Sequence, residues 1–166
     1  MATPTYDLLA STTLTSSASS VTFSSIDQSY GDLILVSCPI MPAGSHAVRE
    51  FYLRVNADTG NNYRTVYAYG NGSSTVSGSA SGISVFTGGD NYTLNPSTLI
   101  TYQFQDYSST DKHKSVLSRS NVVDSSSTRA SMAAQRWAST SAISSITALG
   151  SDFAAGSTFN LYGVAK

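Results

Sequence analysis

Phe51-Tyr-Leu-Arg-Val55, the turn Asn56-Ala-Asp-Thr-Gly-Asn-Asn62 and Tyr63-Arg-Thr-Val-Tyr-Ala-Tyr69 together decide the fold class. In the first run Phe51, Leu53 and Val55 fall on one side, and Tyr52 and Arg54 on the other. That is the period-two signature of a half-buried strand. In the second run Tyr63, Thr65, Tyr67 and Tyr69 alternate with Arg64, Val66 and Ala68. Its tyrosine face reads as a wet surface or an interface. The connecting residues are Asn, Asp and Gly, which bond their own backbone and accept left-handed conformations. The segment is therefore expected to be a turn that joins two strands.

The same pattern repeats along the chain. Short apolar or alternating runs are expected as strands near Tyr6–Thr13, Ser20–Phe23, Leu33–Cys38, Val48–Val55, Tyr63–Tyr69 and Gly82–Phe86. Others follow near Thr98–Asp106, His113–Ser118, Thr128–Ser139, Ala142–Leu149 and Thr158–Val164. Gly, Asn, Asp and Ser punctuate them. Asn71-Gly72 is a strong hairpin pair. Ser73–Ser81 and Gly88–Asn91 read as exposed polar loops. Thr128–Trp137 contains good helix formers, but its alternation puts Ala130, Met132, Ala134 and Arg136 on one face, and strand is the better reading. The fold class expected is all-β, a single β-sandwich domain over residues 1–166, jelly-roll-like, with residues 1–10 a candidate N-terminal arm; an immunoglobulin-like sandwich and a barrel are the alternatives.

Composition bounds the function. The chain has 166 residues, 11% charged residues and a formal net charge of -1. Ordinary domains carry roughly 25% charged residues. Nucleic-acid binding needs clustered Lys and Arg, and the nine here are scattered. Hydroxyls replace the missing charge, with 32 Ser and 18 Thr. Ten Tyr, six Phe and 40% hydrophobic residues argue against a disordered Ser-rich linker. The opening residues lack the positive and apolar regions of a secretion signal. No run is long enough for a membrane span.

Catalytic candidates are few. Cys38 ends an apolar run and reads as a small buried hydrophobe rather than a nucleophile. His46 and His113 lie in polar turns and lack metal-ligand spacing. Gly78-Ser-Ala-Ser-Gly82 has Ala80 where a nucleophile elbow needs Ser. Asp106 and Asp111 read as a polar turn, not as an acid–base pair. The Asn56–Asn62 loop faintly resembles a calcium loop, but it has one carboxylate and no bidentate Glu. No catalytic residue, metal site or cofactor is expected, and the protein reads as a non-enzyme. Tyr63, Tyr67, Tyr69, Tyr102 and Tyr107 could form a sugar-stacking platform; interface or core aromatics are the stronger reading.

Several segments, in order, carry a resemblance. Tyr6-Asp-Leu-Leu-Ala-Ser-Thr-Thr-Leu14 leads to Ser20-Val-Thr-Phe-Ser-Ser-Ile26 and Tyr30-Gly-Asp-Leu-Ile-Leu-Val36. Leu53-Arg-Val-Asn-Ala-Asp-Thr-Gly-Asn-Asn-Tyr63 follows. Ala142-Ile-Ser-Ser-Ile146 and Phe153-Ala-Ala-Gly-Ser-Thr-Phe-Asn-Leu-Tyr-Gly163 close the series. Together they resemble small virion structural proteins of tailed bacteriophages. The resemblance implies a capsid decoration or cement protein on the outside of the head. It implies a homotrimer that contacts the major capsid protein or other virion proteins. The alternative it leaves open is a tail-fibre or receptor-binding module that contacts host glycans. Either role places the protein in the virion, assembled in the host cytoplasm, with no nucleic-acid or membrane partner.

Overall fold

Residues 5–42, 49–81, 85–86, 91–92, 98–123 and 128–166 are described by a computed structural model. Among them the chain forms strands and no helix. The strands are β1 (Tyr6–Thr13), β2 (Ala18–Phe23), β3 (Asp32–Cys38), β4 (Arg49–Val55), β5 (Tyr63–Gly70) and β6 (Thr75–Ser81). They continue with β7 (Asn91–Tyr92), β8 (Leu99–Gln105), β9 (Lys114–Val123), β10 (Thr128–Trp137), β11 (Ile146–Phe153) and β12 (Thr158–Val164).

Two antiparallel sheets result. The larger has eight strands in the order β1-β12-β3-β8-β9-β10-β5-β6, and the smaller has four, β2-β11-β4-β7. The all-β expectation is met. The eight-plus-four division differs from the two even sheets of a jelly roll.

The core lies between the sheets, and strand alternation fills it. From the large sheet come Leu33 and Leu35, Ile100, Tyr102 and Phe104, Val116, Trp137, Phe159 and Leu161; from the small sheet come Phe51, Leu53, Val55, Ile146 and Ala148. Phe51 meets Tyr102 across the layers at 6.1 Å between ring centres. Fully burying each large apolar side chain contributes roughly 1.5–3 kcal/mol. Phe86 bridges Leu53 and packs edge-on against Tyr63 at 4.9 Å.

Several boundaries differ from those expected. The stretch Ser73–Ser81 is a strand from Thr75 onward, not a loop. β5 supplies its pairing, and the Tyr67 ring lies across Gly78, within 2.7 Å of where a Cβ would stand. β11 starts at Ile146 rather than Ala142, because Asn56 holds the preceding segment. Its side chain accepts from the Ser144 and Ser145 amides and donates to the Ala142 carbonyl. Asn56 does so at φ 49°, a left-handed conformation that suits Asn. β9 runs to Val123, beyond the expected Ser118. Tyr6–Thr13 pairs with β12 as a strand of the large sheet, so from Tyr6 onward the chain is no free arm. His46, most of Gly82–Phe86 and most of Gly88–Asn91 lie outside the described residues.

Candidate functional site

The Asn56–Asn62 loop is pinned by its own carboxylate. Asp58 Oδ1 accepts from the Gly60 amide at 2.7 Å. Its Oδ2 accepts from Asn62 Nδ2 at 2.8 Å and from the Trp137 indole at 2.6 Å. Burial pushes the carboxyl pKa up, but the bonds from Trp137, Asn62 and Gly60 outweigh it and hold the pKa below the ordinary range. Both oxygens are engaged by protein donors, so the loop is a turn stabilised by Asp and Asn. No group of three or more His, Cys, Asp or Glu residues stands together among the described residues. Asp106 pairs with Lys112 at 2.6 Å across an exposed turn, and Asp111 takes the Ser109 hydroxyl. Both carboxylates are thus engaged by side chains of their own turn. His113 is exposed, and Cys38 is half-buried rather than buried.

The five tyrosines separate into two groups. Tyr63, Tyr102 and Tyr107 are completely buried and belong to the core. Burial raises the Tyr63 hydroxyl pKa to about 12, and its hydroxyl donates to the Asp58 carbonyl. Tyr107 donates to the Asp27 carbonyl. Tyr67 and Tyr69 are half-buried and stack in parallel at 6.4 Å, with the Arg129 guanidinium 3.9 Å above the Tyr69 ring. The tyrosine face of β5 therefore turns inward, with Tyr63 in the core and Tyr67 and Tyr69 half-buried, which sets aside the wet-surface half of the two readings, wet surface or interface. The Val66 face is the wet one.

That outer face was not singled out in the sequence. One row crosses all eight strands of the large sheet, running Leu8, Tyr162, Ile34, Gln103, Leu117, Ala134, Val66 and Ser79. The adjacent row carries Val36, Thr101, Arg119, Met132, Ala68 and Ser77. Val66, Leu117 and Met132 are 63%, 57% and 67% exposed. With Ala68, Ala134 and Ser77 they line one shallow depression. Antiparallel sheets ordinarily put polar side chains on the solvent face, and a contiguous apolar patch there marks an interaction site.

Over β5, β6, β8, β9 and β10 the charge on this face has one sign, and the acidic Asp32 stands apart at the start of β3. Arg64, Arg119 and Arg136 are exposed on it, and β5, β6, β8, β9 and β10 contain no Asp or Glu. Arg64 stands directly opposite Arg136, an arrangement that is itself destabilising. With Val66, Ser79, Ser81 and Ala134 the two arginines line a groove. The pattern could have been found by assigning β5 and β10 faces from Met132 and Val66 instead of from the tyrosines.

No family model matches the chain, and no curated protein matches it. Solved structures similar to it include a protein of unknown function from Shewanella oneidensis MR-1, at 11% identity, 85% of this chain, 61% of that chain and a TM-score of 0.19. The chain thus spans about three fifths of the Shewanella protein's length. Another is an uncharacterized protein from Mycobacterium paratuberculosis, at 11% identity, 80% and 81% coverage and a TM-score of 0.16. A third is an aerolysin-like protein from Bombina maxima, at 8% identity, 80% coverage of each chain and a TM-score of 0.13. At these scores the likenesses carry no argument about this chain.

Proposed function

We propose that this protein is a non-enzymatic structural module of a phage virion, a decoration or cement protein that docks on the outside of the head. The observation that carries the reading is the outer face of the eight-stranded sheet. It joins an exposed apolar centre at Val66, Leu117 and Met132 to the arginines Arg64, Arg119 and Arg136. Such a face fits a partner surface that is apolar at its centre and acidic at its rim. A carboxylate entering between Arg64 and Arg136 would turn a repulsive pair into two charge-assisted bonds. The same charge pattern disfavours closing this face on a second copy of itself. The resemblance to virion structural proteins supplies the identity of the partner surface, a capsid lattice.

A second reading rests on Tyr67, Tyr69 and Arg129. Two parallel, half-buried rings, with a guanidinium over the Tyr69 ring, suit a sugar stacked on Tyr67 and bonded by Arg129. This favours the receptor-binding alternative, in which the module contacts a host glycan.

Purified protein is added to matching phage heads that lack it, and the mass bound per particle is counted. Saturation at a fixed multiple of the capsid lattice, with better survival of heat, is the expected result. No binding to heads together with adsorption to host cells would leave the glycan-binding reading in its place.

A further inference from the structure

We infer that two copies of this chain pair edge to edge through β6, about a two-fold axis at Gly78. β6 is a terminal strand of the large sheet and has β5 as its one strand partner among the described residues. Among the described residues no strand pairs with its outer edge. Proteins usually blunt such an edge with a charge, a proline or a bulge. The residues Thr75-Val-Ser-Gly-Ser-Ala-Ser81 contain no charge and no proline, and the β5–β6 register runs without a shift. The opposite edge of the same sheet, β1, has both Asp7 and a register shift between Leu8 and Ala10.

The strand is also self-complementary. Read from either end toward Gly78, its residues match in kind: Thr75 with Ser81, Val76 with Ala80, Ser77 with Ser79. An antiparallel pair centred on Gly78 puts Ser77 of each copy opposite the second copy's Ser79, and Val76 opposite its Ala80. Isologous contacts of this form are what two-fold dimers require. Ser77 and Ser79 lie on the outer face, in register with Ala68 and Val66. Val76 and Ala80 lie on the inner face, in register with Tyr69 and Thr65. Val76 is 37% exposed in the single chain, and pairing covers it. At the axis Gly78 offers no side chain, so the two backbones meet unobstructed, with the Tyr67 ring supporting the strand from the inner side.

The axis of an antiparallel pair is perpendicular to the sheet. The two outer faces therefore come to lie on one side as a continuous surface, and the docking face doubles. This two-fold stands in place of the trimer implied by the resemblance. A seven-residue ladder is about 24 Å long, well short of a standard interface. The dimer is therefore reversible in solution and strengthened by paired docking on a particle.

Sedimentation velocity over rising concentration tests this. The wild-type chain should pass from 17.4 kDa toward twice that mass. Ser77→Lys with Ser79→Lys should weaken pairing roughly tenfold, because two like-charge contacts form across the axis. Ser77→Glu with Ser79→Glu should do the same, and an equimolar mixture of the two variants should restore the dimer. Circular dichroism confirms that each variant is folded. If the lysine variant misfolds, the glutamate variant alone decides. A wild-type chain that stays monomeric, a trimer, or a dimer undiminished in the folded variants would overturn the inference.

Discussion

Asp58 holds together elements that are distant in sequence. Its carboxylate joins the β4–β5 turn to Trp137, at the end of β10. The turn itself was legible, because Asn, Asp and Gly in that order have local reasons to bend the chain. The indole partner was not, because a loop's sequence does not reveal which remote strand ends beside it. Hydrogen bonds to charged groups contribute roughly 1.5–3 kcal/mol each. Trp137→Phe should therefore lower the unfolding free energy by about that amount in urea titrations at neutral pH. The carboxyl pKa is lower folded than unfolded. Its stabilisation is thus present above the unfolded value of about 4 and is lost as pH falls through the folded value. The gap between wild type and Asp58→Asn should accordingly shrink between neutral pH and about pH 3. Trp137 is the chain's one tryptophan, so its emission reports the transition. A gap that stays constant with pH would mean that the carboxylate's charge contributes nothing.

Strand positions came readily from alternation, and β4, β5, β10 and β12 lie close to where the sequence put them. Face assignment did not. In β5 both faces carry plausible inward residues, and aromatic tyrosines at Tyr67 and Tyr69 look as wet as Val66 looks dry. The pairing with β10 decides, because Trp137 and Ala133 must go inward with Tyr63 and Tyr67. β6 was missed because Ser, Gly and Ala have low strand preference, and pairing to β5 overrides it. The same ladder opposes Arg64 and Arg136. Replacing one with a carboxylate converts repulsion into attraction. Arg136→Glu should raise stability by about 0.2–1 kcal/mol while weakening attachment to heads, the trade expected of a functional surface. Thermal melts and particle-binding assays run on the same preparation check both. Lower stability with unchanged binding would remove Arg136 from the docking face.

At the scale of the molecule, the sandwich class followed from many short strands without helices. The division into eight and four did not, because strand order is fixed by pairings between segments far apart in the chain. β3, β8 and β12 are neighbours although loops and other strands separate them in sequence. The uneven division leaves a wide sheet with one face on the core and one uncovered. That uncovered face is the surface proposed to meet the particle. Met132 is 67% exposed, at its centre, so a polar residue there should change stability by no more than about 0.5 kcal/mol. The direct measurement is the number of copies bound per head for wild type and for Met132→Glu, at equal protein concentration. Saturating occupancy for the wild type and a drop of tenfold or more in affinity for the folded variant is the predicted result. Equal occupancy for the two would contradict the account, because the outer face would then not be the surface that meets the particle.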